Sequence, residues 1–134
     1  MSNWWNSKST VKNKLNNVFD TIGIGVDISS ISDFRKISYE QNLNFYKMIF
    51  HPTEIEYCLK FTDPYPHFSG IFSLKEAVKK SIPEEIFISK IKINHIDSKP
   101  NIILYGAKNE YDFRSSISHE KDYAIGFVIS KNNT

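Results

Sequence analysis

The chain has 134 residues, with 17 Lys and Arg against 15 Asp and Glu and a formal net charge of +2. That length suits one hydrophobic core, the charge is too mild to predict nucleic-acid binding, and an aromatic content of 14% argues for a packed globular chain over a disordered one. No apolar run approaches the roughly 20 residues that span a membrane, the start carries no apolar signal core, and the lone Cys58 cannot form an internal disulfide, so the expectation is a soluble, cytoplasmic protein.

Residues 1–20 are polar, with Trp4 and Trp5 near the start. Ser9 or Thr10 can cap a short amphipathic helix that carries Val11, Leu15, Val18 and Phe19 on one stripe. This segment is expected as an N-terminal extension to a domain over residues 21–131. In residues 21–27, Ile22, Ile24 and Val26 alternate with Gly23, Gly25 and Asp27, which is strand periodicity. The glycines leave one face bare, so another backbone or a ligand can approach it closely. Asp27 sits on that face, at the expected end of the strand.

Ser29 or Ser30 can cap a helix through Ile31, Phe34 and Ile37, and residues 39–43 read as loop. Residues 45–50 are apolar and lead into His51-Pro52-Thr53-Glu54, where Pro52 suits the first turn of a helix carrying Ile55, Tyr57, Cys58, Leu59 and Phe61. Asp63-Pro64-Tyr65-Pro66 breaks that helix, and a longer one is expected over residues 67–82, stopped by Pro83. Strands are expected over residues 86–96 and 102–105, with a turn over 97–101. One or two helical turns are expected over 107–113, then strands over 115–119 and 123–130 around Glu120-Lys121-Asp122. Strands following a block of helices indicate a small α+β domain, helices packed on a mostly antiparallel sheet.

The stretch from Phe72 to Lys80 concentrates the charge. At about 100° per residue, Ile71, Leu74, Val78 and Ile82 form one apolar stripe. Glu76 and Lys80, spaced i, i+4, share another face, and Lys75 with Lys79 forms a second pair at the same spacing. A carboxylate among amines suits a divalent cation beside a phosphate. The same spacing also describes a solvated ion pair of ~0.3–0.5 kcal/mol.

Three segments gain specificity from their order and spacing: Gly23-Ile24-Gly25-Val26-Asp27, residues 72–80, and Ser116-Ile117-Ser118-His119-Glu120 followed by Tyr123-Ala124-Ile125. Together they resemble the 4′-phosphopantetheinyl transferases, and within them the small holo-acyl-carrier-protein synthase group. That group has a G-x-G-x-D strand, an F-x-x-K-E-A-x-x-K helix, an S-x-S-H segment and a closing Y-A-x-A-type strand. The resemblance runs from about residue 22 to 129 and includes the helix around residues 51–58.

The resemblance implies a reaction: the phosphopantetheine arm of coenzyme A passes to a serine of an acyl carrier protein of fatty-acid or polyketide synthesis, releasing adenosine 3′,5′-bisphosphate. It places the metal-binding carboxylates at Asp27 and Glu76, for Mg2+. Lys80 falls on the motif's second lysine, where it can stabilise or protonate the leaving group. Glu76 is the candidate base for the serine hydroxyl. Lys75, Lys79, Ser118 and His119 are candidates for holding the coenzyme's nucleotide. A homotrimer with its site between subunits is also implied, and neither a nucleic acid nor a membrane is an expected partner.

The chain departs from the group's pattern at four places. Ser30 stands for the usual Glu three residues after the metal Asp. Asp33 stands for an Arg on the helix that docks the acidic carrier, and Ile71 for the Arg before the motif Phe. Ser81-Ile82-Pro83-Glu84-Glu85 replaces a glycine-rich loop that wraps the coenzyme. These departures define a second reading, a non-catalytic homologue that binds carrier proteins or serves as an assembly module.

Overall fold

The alternating Ile and Gly residues form β1 (Ile22–Ser30), and Ser30 closes it by turning its hydroxyl onto the Asp33 amide at 3.2 Å as the N-cap of α1 (Ile31–Lys36). In the computed structural model, which describes residues 18–134, there follow α2 (Leu43–Ile49), α3 (Pro52–Leu59), α4 (Tyr65–Ser81), β2 (Ile91–Ile96), β3 (Lys99–Leu104), β4 (Tyr111–Glu120) and β5 (Tyr123–Asn132). A 3-10 turn, Ile88–Lys90, precedes β2. The expected N-terminal helix falls mostly on residues 1–17, outside the described residues; Val18 and Phe19, its last apolar members, are exposed.

Two antiparallel sheets result, one of order β1-β5-β4 and one pairing β2 with β3. Helix α4 lies across the first sheet. A Cβ on Gly25 would stand 1.9 Å from the Ala77 carbonyl oxygen, and one on Gly126 would stand 2.5 Å from Leu74 Cα. The bare strand face is therefore the seat of a helix backbone. On the helix's other side, Ile71, Leu74, Val78 and Ile82 join Phe34, Tyr46, Phe50, Ile55, Phe68, Ile91 and Ile93 in the core. Tyr46 is fully buried and donates its hydroxyl to the Ile37 carbonyl at 2.6 Å, tying α2 to the end of α1.

Several boundaries differ from the expectations. β1 runs three residues past Asp27, because Ser29 and Ser30 still pair with Ala124 and Tyr123. Asp27 is thus within the strand, opposite Gly126. Residues 86–90 are not strand; Ile86 packs into the core and the 3-10 turn intervenes. Residues 107–113 are not helical. A loop leads into β4 at Tyr111, and the Glu84 carboxylate holds that loop by accepting from the Lys108 amide (2.7 Å), the Asn109 side chain (3.0 Å) and the Tyr111 hydroxyl (2.7 Å). The turn between β2 and β3 tightens to Asp97 and Ser98, both at positive φ as a two-residue hairpin turn requires.

Candidate functional site

β1 and α4 bring Asp27 and Lys80 together. The Lys80 ammonium donates to Asp27 Oδ1 at 2.9 Å and to the Val26 carbonyl at 3.1 Å. Asp27 is constrained from behind by the strand pairing. Lys80 comes from the last turn of α4, which Gly25 allows to approach β1. The Lys80 side chain is 55% exposed and that of Asp27 18%, so the pair opens to solvent at the sheet edge. Glu76, one turn back from Lys80 and on the same flank, is also partly open. Its nearest cation is Lys79, at 4.0 Å. The expected Glu76–Lys80 pair is thus exchanged for Lys80 with Asp27 and Glu76 with Lys79.

Lys75 is corrected outright. The i, i+4 spacing with Lys79 predicts a phosphate-holding lysine, but the Lys75 side chain is fully buried with that of Glu54. The Lys75 ammonium donates to Glu54 Oε1 at 2.6 Å and to the Ile49 carbonyl at 2.8 Å. Glu54 also accepts from the backbone amides of His51 at 2.7 Å and Ile93 at 2.6 Å. Burial pushes the Lys75 pKa down and the Glu54 carboxylate opposes the shift. With its donors used inside the core, Lys75 cannot reach a ligand; it joins α2, α3, α4 and β2. Glu54 was missed in the sequence because its partner lies 21 positions away, and its only signal was a carboxylate inside an apolar helix.

His119 and Ser118 lie on β4, on the opposite edge of the sheet from Asp27. His119 meets His67 of α4 edge-on, at 5.6 Å between ring centroids. Both line a cavity of about 440 Å³ between α3, α4 and the two hairpins. His95 of β2 lines it too, stacked on Tyr57 at 3.9 Å. Sequence reasoning singled out neither His67 nor His95, since no spacing links them and only the fold brings them together. Ile71, where the group carries Arg, is 1% exposed and belongs to the core.

A carboxylate and an ammonium from two distant motifs thus meet at one open edge, on the flank of α4 that carries Glu76. Against that arrangement, the model of the 4′-phosphopantetheinyl transferase superfamily matches residues 23–128. The chain belongs to this superfamily.

Within the superfamily its relatives are holo-(acyl-carrier-protein) synthases. The enzyme of Thermodesulfovibrio yellowstonii is 33% identical over 110 residues, covering 80% of this chain and 96% of its own. That of Chlamydia felis is 34% identical over 115 residues, covering 80% and 94%. Among solved structures, the Helicobacter pylori holo-(acyl-carrier-protein) synthase in complex with coenzyme A superimposes with a TM-score of 0.66 at 29% identity, over 82% of this chain and 99% of that one. The α+β fold and the holo-acyl-carrier-protein synthase group are those expected from the motifs. Among the described residues no helix is long and apolar enough to cross a membrane.

Proposed function

We propose that this chain is a magnesium-dependent holo-acyl-carrier-protein synthase. It moves 4′-phosphopantetheine from coenzyme A to a serine of an apo acyl carrier protein and releases adenosine 3′,5′-bisphosphate. The observation that carries the reading is the Lys80–Asp27 contact on the Glu76 flank of α4. Family membership supports it, as do relatives of the same name over nearly their whole length. The lone, buried Cys58 fits a cytoplasmic setting.

Asp27 and Glu76 offer only oxygen ligands, and both keep some solvent exposure. Magnesium bound by one or two carboxylates keeps several waters, so the donor set fits that ion. Asp27 and Glu76 would hold it, and when bound it supplies charge neutralisation at the phosphorus under attack and at the leaving phosphate. The chain's own groups do the rest. Glu76 accepts the serine proton. The serine oxygen forms its bond to the β-phosphorus while the bond from that phosphorus to the bridging oxygen breaks. Lys80 donates a proton or hydrogen bond to the departing oxygen, and Lys79 adds a positive charge beside it.

Ser118 and His119 complete the coenzyme site from a second copy. β1 and β4 flank β5, so Asp27 and His119 are separated by two strand spacings, roughly 10 Å, with α4 packed over the sheet between them. The other face of this sheet is apolar and open: Ile24, Val26 and Ile28 on β1 lie beside Ile125, Phe127 and Ile129 on β5. Such a patch favours association, and the proposed assembly is a homotrimer with sites between subunits.

Ile71 and Asp33 favour the second reading, a carrier-binding module without catalysis. Incubation with coenzyme A, magnesium and apo-carrier proteins separates the two by mass spectrometry. The expected result is a carrier heavier by one phosphopantetheine arm. No mass gain on any cognate carrier, with no coenzyme binding by calorimetry, overturns the transferase; carrier binding without mass gain establishes the module.

A further inference from the structure

A second cavity, of about 650 Å³, opens between the end of α2 and one flank of α3. Tyr39, Phe50, Pro52, Ile55 and Leu59 form an apolar wall, and the exposed Lys47, Glu56 and Lys60 supply its charges. Phe50 and Ile55 are buried members of the core, so the cavity reaches down to it. Leu59, 42% exposed, leaves an apolar side chain in water at the open side. α3 separates this cavity from the one beside His119, which takes Tyr57 from the helix's other flank.

The polar groups of this cavity are unengaged. Among the described residues neither Lys47 nor Lys60 has an ion-pair partner, and Glu56, one turn before Lys60, does not reach it. Two ammoniums against one carboxylate leave the cavity positive. The Tyr39 ring is held by Phe68, stacked at 6.0 Å, and by Tyr46, edge-on at 5.4 Å. Its amide donates to the Tyr65 hydroxyl at 3.1 Å, whereas its own hydroxyl has no hydrogen-bond partner among the described residues. Apolar walls with a few polar groups, in a volume of roughly 300–1,000 Å³, are the form of a small-molecule site.

We infer that this cavity binds a long-chain carboxylate, with its alkyl chain on Phe50, Ile55 and Leu59 and its head group between Lys47 and Lys60. The wall offers no side-chain hydrogen-bonding group besides the Tyr39 hydroxyl. A sugar or a nucleotide base would leave its polar groups unpaired there, at a cost, whereas an alkyl chain needs only contact. The lysines suit the other end: their stems run along apolar surface while their ammoniums meet an anion at the edge of solvent. This site stands independently of the transferase reading. Each methylene that leaves water strengthens binding about fourfold until the cavity is filled. The charge-assisted contacts of the head group add about tenfold or more over a neutral one.

The test is calorimetry of the full chain with octanoate, decanoate and dodecanoate, each below its micelle concentration, and with 1-decanol as the neutral counterpart of decanoate. Affinity is expected to rise along the three acids, and decanoate should bind about tenfold or more tightly than decanol. Lys47→Gln with Lys60→Gln should reduce decanoate to the affinity of decanol and leave decanol unchanged. Leu59→Asp should weaken both. All three positions are exposed, so these variants leave the core intact. Decanol binding as tightly as decanoate overturns the carboxylate as ligand. Decanoate binding that neither variant changes belongs to another surface, such as the open sheet face, and overturns the site. So does the absence of saturable binding for all three acids.

Discussion

Lys75 and Glu76, neighbours on α4, have opposite fates, and burial decides between them. Lys75 has no solvent access and sits between Glu54 and the Ile49 carbonyl. Removing one member of a buried pair leaves an uncompensated charge, at a cost of about 3–5 kcal/mol. Lys75→Met should therefore destabilise the fold by about that amount in denaturant titrations, and Glu54→Gln with Lys75→Met should recover much of it. Additive losses in the double variant would show that the two side chains stabilise the protein independently. Glu76 is the counter-case: a half-open carboxylate whose nearest cation is 4.0 Å away stabilises little. Glu76→Gln is expected to leave the unfolding midpoint nearly unchanged and to lower transfer by at least about a hundredfold. Near-normal turnover would remove Glu76 from the proposed chemistry.

At the scale of elements, the contact of α4 with β1 and β5 sets the site. The helix axis is held near the sheet because Gly25 and Gly126 present no Cβ to its backbone. Gly25→Ala would place a methyl 1.9 Å from the Ala77 carbonyl, and neither backbone can give way locally. The expected cost is about 1–3 kcal/mol or more, and turnover should fall with it, since moving α4 separates Lys80 from Asp27. A variant that keeps full stability and activity would show that the approach is not needed. Much of this element logic was legible in the sequence. The Ile–Gly alternation, the apolar stripe of α4 and the Ser30 cap each follow from local periodicity or capping chemistry. What escaped was set by distant partners. Residues 107–113 resemble helical turns until Glu84, more than twenty positions earlier, fixes them as a loop. Glu84, in the segment that replaces the glycine-rich loop, is turned to that backbone, and those hydrogen bonds hold its carboxyl below the usual range. Lys75 reads as a coenzyme-holding lysine for the same reason: i, i+4 spacing reports neighbours on one helix and says nothing of Glu54 across the core.

For the whole molecule, the decisive feature is a sheet covered by α4 on one face and left open and apolar on the other. One face receives α4. The other carries Ile24 (68% exposed), Val26 (56%) and Ile28 (60%) beside Ile125 and Phe127 on β5. In a monomer this surface would be left in water at roughly 25 cal/mol per Å², whereas in the proposed trimer it is buried where the shared site also needs a second chain. Assembly and catalysis are then one property and should be lost together. Val26→Lys with Phe127→Lys changes only outward-facing side chains that are directly paired across β1 and β5. Like charges at that pair oppose association and leave the α4-facing core untouched. Light scattering is expected to show a trimeric mass for the parent chain and a monomeric one for the variant, whose circular dichroism should remain native. Transfer should fall to background with the mass, because the proposed shared site sets Asp27 and Glu76 of one chain against His119 of another. A parent chain that is strictly monomeric yet active would require both halves of the site to come from a single chain and would overturn the proposed shared site. A monomeric variant that remains fully active would show that the apolar face assembles the protein without completing its site.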